Sequence, residues 1–209
     1  MKILIVDDHA VVRRGVRQIL DEEFPGAQIT EATNGAEALE LARKDQWTCI
    51  VLDISMPGRS GLDALRELKV SSPKVPVLVL SGHPEDQYAL RVLKLGAAGY
   101  LTKDQAPEEL VKALKRVLAG GKYITAALAE KLADQLQGET TRAPHELLSD
   151  REFEVLRGIA TGRALKEIAA ELSISEKTVS TYHTRLLEKM RLRSDAEVVR
   201  YALEHGLLN

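Results

Sequence analysis

The chain has 209 residues, 44% of them hydrophobic and 29% charged, with a formal net charge of −2. That length suits two modest domains, since domains cluster at roughly 100 to 150 residues, and the composition is that of a globular protein rather than a disordered or membrane one. No apolar run approaches the ~20 residues that cross a bilayer, and the opening Met-Lys-Ile-Leu-Ile-Val turns acidic at Asp7 and Asp8, too soon for a signal-peptide core. The sequence therefore predicts a cytoplasmic protein. The single cysteine, Cys49, sits inside an apolar run, which predicts a buried thiol and excludes an internal disulfide.

Over the first 118 residues, short β-rich apolar runs alternate with amphipathic stretches, the pattern of an α/β doubly wound, five-stranded parallel sheet. The predicted strands are Lys2 to Val6, Gln28 to Ala32, Cys49 to Leu52, Val75 to Leu80 and Gly99 to Leu101. Between them the spacing predicts helices over Val11 to Phe24, Gly35 to Lys44, Gly61 to Val70 and Glu85 to Leu95, and Pro107 opens a fifth through Leu118. Gly120-Gly121 ends that helix, and residues 119–147 read as a linker with one helix over Thr125 to Gln137 before the polar stretch Gly138 to Pro144.

Beyond the linker the period-2 signal disappears, and residues 148–209 read as an all-α domain. Ser149 and Glu152 form a capping-box pattern, with Leu148 and Phe153 placed as a hydrophobic staple, so a helix starts at Asp150 and stops at Thr161-Gly162. Helices follow over Leu165 to Leu172, Glu176 to Met190 and Asp195 to Glu204, the middle two joined by the turn Ser173-Ile174-Ser175.

In an open parallel sheet, ligands bind outside the carboxyl ends of the strands. There the sequence places Asp7 and Asp8, Asp53, Ser81 and, just past the fifth strand, Lys103. An isolated acid at a strand end usually caps a helix or faces solvent; three acids, a hydroxyl and an ammonium at one edge suit phosphoryl chemistry. Clustered carboxylates form a hard oxygen site for Mg²⁺, which fits Asp7 and Asp8. A carboxylate can be the nucleophile, and Asp53 is the candidate phosphoacceptor. Lys103 offers a point charge to phosphoryl oxygens, and the Ser81 hydroxyl offers a hydrogen bond. Tyr100, on the fifth strand, can move with that hydroxyl.

The set Asp7-Asp8, Asp53-x-x-Met56-Pro57-Gly58-x-x-Gly61, Ser81-Gly82 and Tyr100-Leu101-x-Lys103 resembles the receiver domain of bacterial two-component response regulators over some 118 residues. The resemblance implies a sensor histidine kinase as phosphoryl donor to Asp53. It also implies Mg²⁺ held by Asp7, Asp8, Asp53 and the backbone carbonyl of Ser55, and a switch coupling Ser81 to Tyr100. Ser55 and His83 occupy the positions that tune phosphate lifetime in that family. Serine at 81 replaces the commoner threonine.

The net charge of −2 argues against nucleic acid for the chain as a whole, yet residues 177–193 carry Lys177, Arg185, Lys189, Arg191 and Arg193 against Glu188 alone. On the helix over Glu176 to Met190, the apolar residues Val179, Tyr182, Leu186, Leu187 and Met190 recur at helical spacing and read as core. Lys177, Ser180, Thr181, Thr184, Arg185 and Glu188 fall largely opposite. Ser175 is a natural N-cap. The short side chains Ser180, Thr181 and Thr184 suit base edges; Lys177, Arg185, Lys189 and Arg191 suit phosphates.

Leu148-Ser149-x-Arg151-Glu152-x-Glu154-Val155-Leu156, Gly162, Lys166-Glu167-Ile168-Ala169, Leu172, Ile174-Ser175-x-Lys177-Thr178-Val179 and Lys189-Met190 together resemble the LuxR-type helix-turn-helix. With the receiver-like half in front, the chain is similar to the NarL/FixJ class, and Lys177 to Tyr182 is closest to its GacA-like members. That class implies a transcriptional regulator of double-stranded DNA, with an unphosphorylated receiver that obstructs the recognition helix and a homodimer on release. The last helix, through Val198, Val199, Tyr201 and Ala202, reads as dimer surface or core. An aspartate-nucleophile phosphatase would need a second acid where Ser55 stands. No enzyme acting on a separate substrate is expected, although a receiver catalyses its own phosphorylation and dephosphorylation.

Overall fold

The computed structural model describes residues 1–56, 61–137 and 143–208. Pro57 and Gly58 of the glycine-proline motif, and residues 138–142 of the polar stretch, lie outside the described residues. The chain forms two compact units, Met1–Leu132 and Ala133–Asn209.

The first unit alternates β1 (Lys2–Val6), α1 (Ala10–Glu23), β2 (Gln28–Ala32), α2 (Gly35–Lys44), β3 (Cys49–Leu52), α3 (Gly61–Ser71), β4 (Val77–Ser81), α4 (Glu85–Lys94), β5 (Gly99–Thr102) and α5 (Ala106–Leu118). The strands pair in parallel in the order β2-β1-β3-β4-β5. The order reverses beside β1, which places the crevice of a doubly wound sheet between the ends of β1 and β3. Ile3 and Ile5, Cys49 and Val51, and Leu78 and Leu80 pack with Val16 and Leu20 of α1 and Leu110 and Leu114 of α5. The alternate residues Leu4, Val6, Ile50, Leu52, Val77 and Val79 are also buried, so both sheet faces are covered. Burial pushes the Cys49 thiol up to about 12, which leaves it a packing group rather than a nucleophile.

β4 begins at Val77, two residues later than the apolar run predicts. The Val75 N–H is spent on Ser72 O in the turn that follows α3, while Pro76, with no N–H to give, only accepts a bond from Ile50 N. β5 runs one residue further than predicted, because Thr102 still pairs with Ser81.

After α5 the chain stays on the sheet. Tyr123 N donates to Ala98 O at 2.8 Å, and Tyr123 forms a parallel bridge with Gly99 at the outer edge of β5. A Cβ on Gly99 would meet Tyr123 O at 2.8 Å, so only glycine admits this approach. The Tyr123 hydroxyl donates to Glu109 at 2.6 Å. Thr125 Oγ1 donates to Glu85 of α4 and accepts from Leu128 N, capping the next helix, α6 (Ala126–Gln137). These contacts extend the first unit to Leu132.

Beyond α6, the described residues of the second unit form a 3-10 turn (Pro144–Leu147), which the sequence pattern did not predict, and the helices α7 (Asp150–Ala160), α8 (Leu165–Leu172), α9 (Glu176–Met190) and α10 (Asp195–Glu204). α7 packs against α9 and α10, and α8 against α9, around Phe153, Leu156, Ile168, Val179, Leu186, Val198 and Ala202. Val198 and Ala202 are thus core, whereas Leu203 of the same helix is exposed.

The capping box at Ser149 does more than start α7. Glu152 Oε2 accepts from Ser149 N at 2.7 Å and from Lys189 Nζ of α9 at 2.6 Å, although Glu152 is only 2% exposed. Burial works to raise the Glu152 pKa, but Lys189 and Ser149 outweigh it and hold the carboxyl below the ordinary glutamate value. A folded pKa below the unfolded one means that this stabilisation is complete above the ordinary value of 4.5 and is lost as pH falls through the lower, folded value. Because the Lys189 side chain is 43% exposed, solvent screens the pair. Glu152→Gln is expected to cost this unit about 1 kcal/mol at pH 7 in urea unfolding. The gap should shrink as the acid limb is entered, and an equal gap at pH 3 would contradict the charge assignment.

Candidate functional site

The sheet's hydrogen bonding runs one residue beyond the strands and sets the site's floor. Asp7 N donates to Ala32 O, Asp53 N to Val6 O and Lys103 N to Ser81 O, at 3.2, 2.8 and 2.8 Å. Asp7, Asp53 and Lys103 therefore stand in one layer at the carboxyl edge. Single ligand atoms of Asp7, Asp8, His9 and Asp53 lie within 4.8 Å of one another.

Lys103 Nζ donates to Asp53 Oδ2 at 2.7 Å and lies 2.7 Å from Asp7 Oδ2 as an ion pair. Ser55 N donates to the other Asp53 oxygen, Oδ1, at 2.8 Å. Burial pushes the Asp53 pKa up and the Lys103 cation only partly offsets it, so the carboxyl stays above its ordinary value. Burial acts against the Lys103 ammonium too, but the two carboxylates prevail and hold its pKa above the ordinary lysine value. Asp7 Oδ2, 2.7 Å from Lys103 Nζ, and Asp8 Oδ1, 2.9 Å from His9 Nδ1, are buried and make no further hydrogen bond among the described residues. Adjacent buried carboxylates repel one another, and their oxygens suit a divalent cation that prefers oxygen ligands.

Ser81 Oγ accepts from His83 N at 3.1 Å and lies 3.3 Å from Ser55 Oγ. The Tyr100 ring is buried, and its hydroxyl donates to His83 O at 2.7 Å. Tyr100 thus joins the loop after β4 rather than the acids themselves. The His83 ring stacks on Tyr88 of α4, with centroids 4.8 Å apart.

In the second unit, α8 ends at Ser173 in the left-handed conformation (φ 52°), and Ser175 caps α9 by accepting from Thr178 N at 3.1 Å. Val179, Leu186 and Met190 are buried, with Tyr182 and Leu187 half-buried beside them. Lys177, Thr181, Thr184, Arg185 and Lys189 are exposed and Ser180 is half-buried. Thr181 and Thr184 donate their hydroxyl protons to the carbonyls of Lys177 and Ser180, both at 3.0 Å. Among the described residues no ion pair engages Lys177 or Arg185, whereas Lys189 is held by Glu152.

Residues 3–115 match the response regulator receiver domain, and residues 146–202 match the luxR family of bacterial regulatory proteins. The chain is 37% identical to Response regulator UvrY of Escherichia coli (strain K12), over 100% of this chain and 96% of that protein. This chain is a two-component response regulator. It pairs a receiver with a LuxR-type DNA-binding domain, and it is likewise 37% identical to Response regulator GacA of Pseudomonas aeruginosa, over 100% of this chain and 98% of that one. The regulator's fold is similar to that of RcsB from Salmonella enterica serovar Typhimurium bound to promoter rprA in the presence of phosphomimetic BeF3-. The TM-score is 0.69 at 27% identity, covering 96% of this chain and 97% of that one.

Two residues of the regulator's acidic edge escaped sequence reasoning. His9 N donates to Asp7 Oδ1 at 2.7 Å and His9 Nδ1 lies 2.9 Å from Asp8 Oδ1, contacts that adjacency to the acid pair could have suggested. Arg13 reaches the Asp7 backbone, for which the sequence carries no local signal.

Proposed function

We propose that a sensor histidine kinase transfers a phosphoryl group to Asp53, and that the phosphorylated receiver promotes DNA binding by α9, with homodimerisation, in the cytoplasm. The observation that carries this reading is Asp53 itself: almost fully buried, held by Lys103 through one oxygen and by Ser55 N through the other, beside the buried oxygens of Asp7 and Asp8. Asp7, Asp8, Asp53 and the Ser55 carbonyl would hold Mg²⁺, which supplies positive charge to offset repulsion between phosphate and carboxylates.

One Asp53 carboxylate oxygen attacks phosphorus, the phosphorus–nitrogen bond to the donor imidazole breaks, and the imidazole leaves with that electron pair. Lys103 steadies the equatorial oxygens and Ser81 donates a hydrogen bond to one of them. The new group brings about −1.5 to −2 charges. As Ser81 turns to it, the bond from His83 N and the Tyr100 bond to His83 O both re-form around it, which makes Tyr100 the switch. Self-catalysed gain and loss of this phosphate is the only chemistry assigned, and no separate substrate is turned over.

Lys177, Ser180, Thr181, Thr184, Arg185 and Lys189 are the proposed DNA contacts, Lys189 only when its bond to Glu152 opens. The receiver over 1–118, the connecting segment 119–147 and the DNA-binding domain over 148–209 are the proposed functional divisions. The neighbouring RcsB structures with promoter DNA and a phosphomimetic, and with two dimers on two parallel DNAs, support the scheme by similarity.

Fluorescence anisotropy on an operator selected from random duplexes tests it, with and without a small acyl phosphate. Tighter binding after phosphorylation is expected; identical binding in both states would refute the switch. Thr184→Ala should weaken operator binding by about 1–3 kcal/mol while non-specific binding hardly changes. Equal losses on both duplexes would remove Thr184 from base reading.

A further inference from the structure

The acidic loop after β1 is held from behind by an arginine of α1. Arg13 lies in the second turn of α1, and its side chain is only 13% exposed. Arg13 Nη1 donates to the backbone carbonyl of Asp7 at 2.8 Å, and its Nε donates to Glu31 of β2 at 3.1 Å.

That carbonyl needs a partner for a topological reason. The β1–β2 ladder ends at the pair Val6 and Ala32, and the Asp7 N–H still reaches Ala32 O, but Asp7 O lies past the last paired residue. A carbonyl left at a sheet's end is free to swing. Its rotation turns the peptide between Asp7 and Asp8 and re-aims both carboxylates. Arg13 removes that freedom. Arg17, one turn further along α1, steadies the anchor by donating to the second Glu31 oxygen at 2.5 Å and to Ile29 O at 3.0 Å. The Arg17 bond, with help from Arg13, keeps the Glu31 carboxyl below its ordinary range, so the anchor stays charged.

We infer that Arg13 is a positioning residue for the cation-binding loop, fixing the Asp7-Asp8 peptide so that both carboxylates face the ion. This rests on the reading of Asp7, Asp8 and Asp53 as a Mg²⁺ site. Two properties of the guanidinium suit the task. Its planar fork serves the Asp7 carbonyl and Glu31 at once, which a lysine ammonium on a flexible stem does not. Its positive charge, by Coulomb's law alone, would weaken a cation site nearby, and Glu31 offsets it. Positioning and charge therefore predict opposite signs for its removal.

Titration calorimetry of Mg²⁺ into the full chain, with thermal unfolding alongside, separates them. Arg13→Ala and Arg13→Lys should each weaken Mg²⁺ binding roughly ten-fold, the usual scale for losing a group that orients metal ligands. Glu31→Gln, which keeps Arg13 but loosens its anchor, should shift affinity the same way by less, and it covers the case in which Arg13→Ala folds poorly. Unchanged or tighter Mg²⁺ binding in the Arg13 variants would overturn the inference, even if their melting temperature fell. Asp8→Asn provides the reference loss of binding. Failure of the wild-type chain to bind Mg²⁺ would overturn the metal reading itself, and this inference with it.

Discussion

Lys103→Met is expected to slow phosphoryl uptake at Asp53 by about 10²-fold, the scale seen when one preorganised donor to developing charge is removed. The ammonium is the only cation that the described structure places in hydrogen-bond contact with Asp53, and it also pairs with Asp7. During transfer it can follow the charge from carboxylate to phosphoryl oxygen without leaving the site. Methionine keeps much of the stem's volume, so the fold should survive and the loss should be electrostatic. Initial rates of labelling by a small acyl phosphate, at saturating Mg²⁺, provide the measurement. A rate within about three-fold of wild type would mean that Lys103 balances the apo acids but does not serve the transfer.

Gly61→Ala should be the most damaging single methyl in the receiver. A Cβ at Gly61 would lie 2.2 Å from Ile54 Cα and 2.6 Å from Asp53 O. Both neighbours are backbone, so no side chain can turn aside; either the start of α3 retreats or the segment carrying Asp53 moves. Overpacking of a well-packed core costs ~1–3 kcal/mol, and a backbone-to-backbone collision belongs at or above the top of that range. The expected loss is about 3 kcal/mol, with a fall of about 10 °C in the receiver's melting transition. Phosphoryl uptake should fall as well, because the displaced atoms belong to Asp53 and its neighbour. A variant with wild-type stability would show that α3 is free to shift.

The sequence pattern located most elements because the local signals agreed. Gly35–Lys44, Leu165–Leu172, Glu176–Met190 and Asp195–Glu204 have the predicted bounds, and Ser175, Ser149 and Ser194 accept the backbone bonds that mark helix starts. The acids, Ser81 and Lys103 were legible because apolar strands point to their own ends, and a parallel sheet gathers those ends on one edge.

What escaped depends on contacts between residues far apart in sequence. Nothing near Tyr123 announces that its N–H pairs with Ala98 O, which extends the first unit past α5. Lys189 reads as a phosphate contact alone until Glu152, 37 positions earlier, is seen to hold it. The apolar Val75-Pro76 pair looks like strand, yet the turn after α3 claims the Val75 N–H. Pro144–Leu147 is too short for periodicity to detect.

Intact-protein mass spectrometry after incubation with Mg²⁺ and a small acyl phosphate, comparing wild type with Asp53→Asn, tests the phosphoacceptor most directly. A single phosphoryl adduct on wild type and none on Asp53→Asn is the predicted result. An adduct of equal yield on both proteins would place the phosphate elsewhere and contradict the role of Asp53.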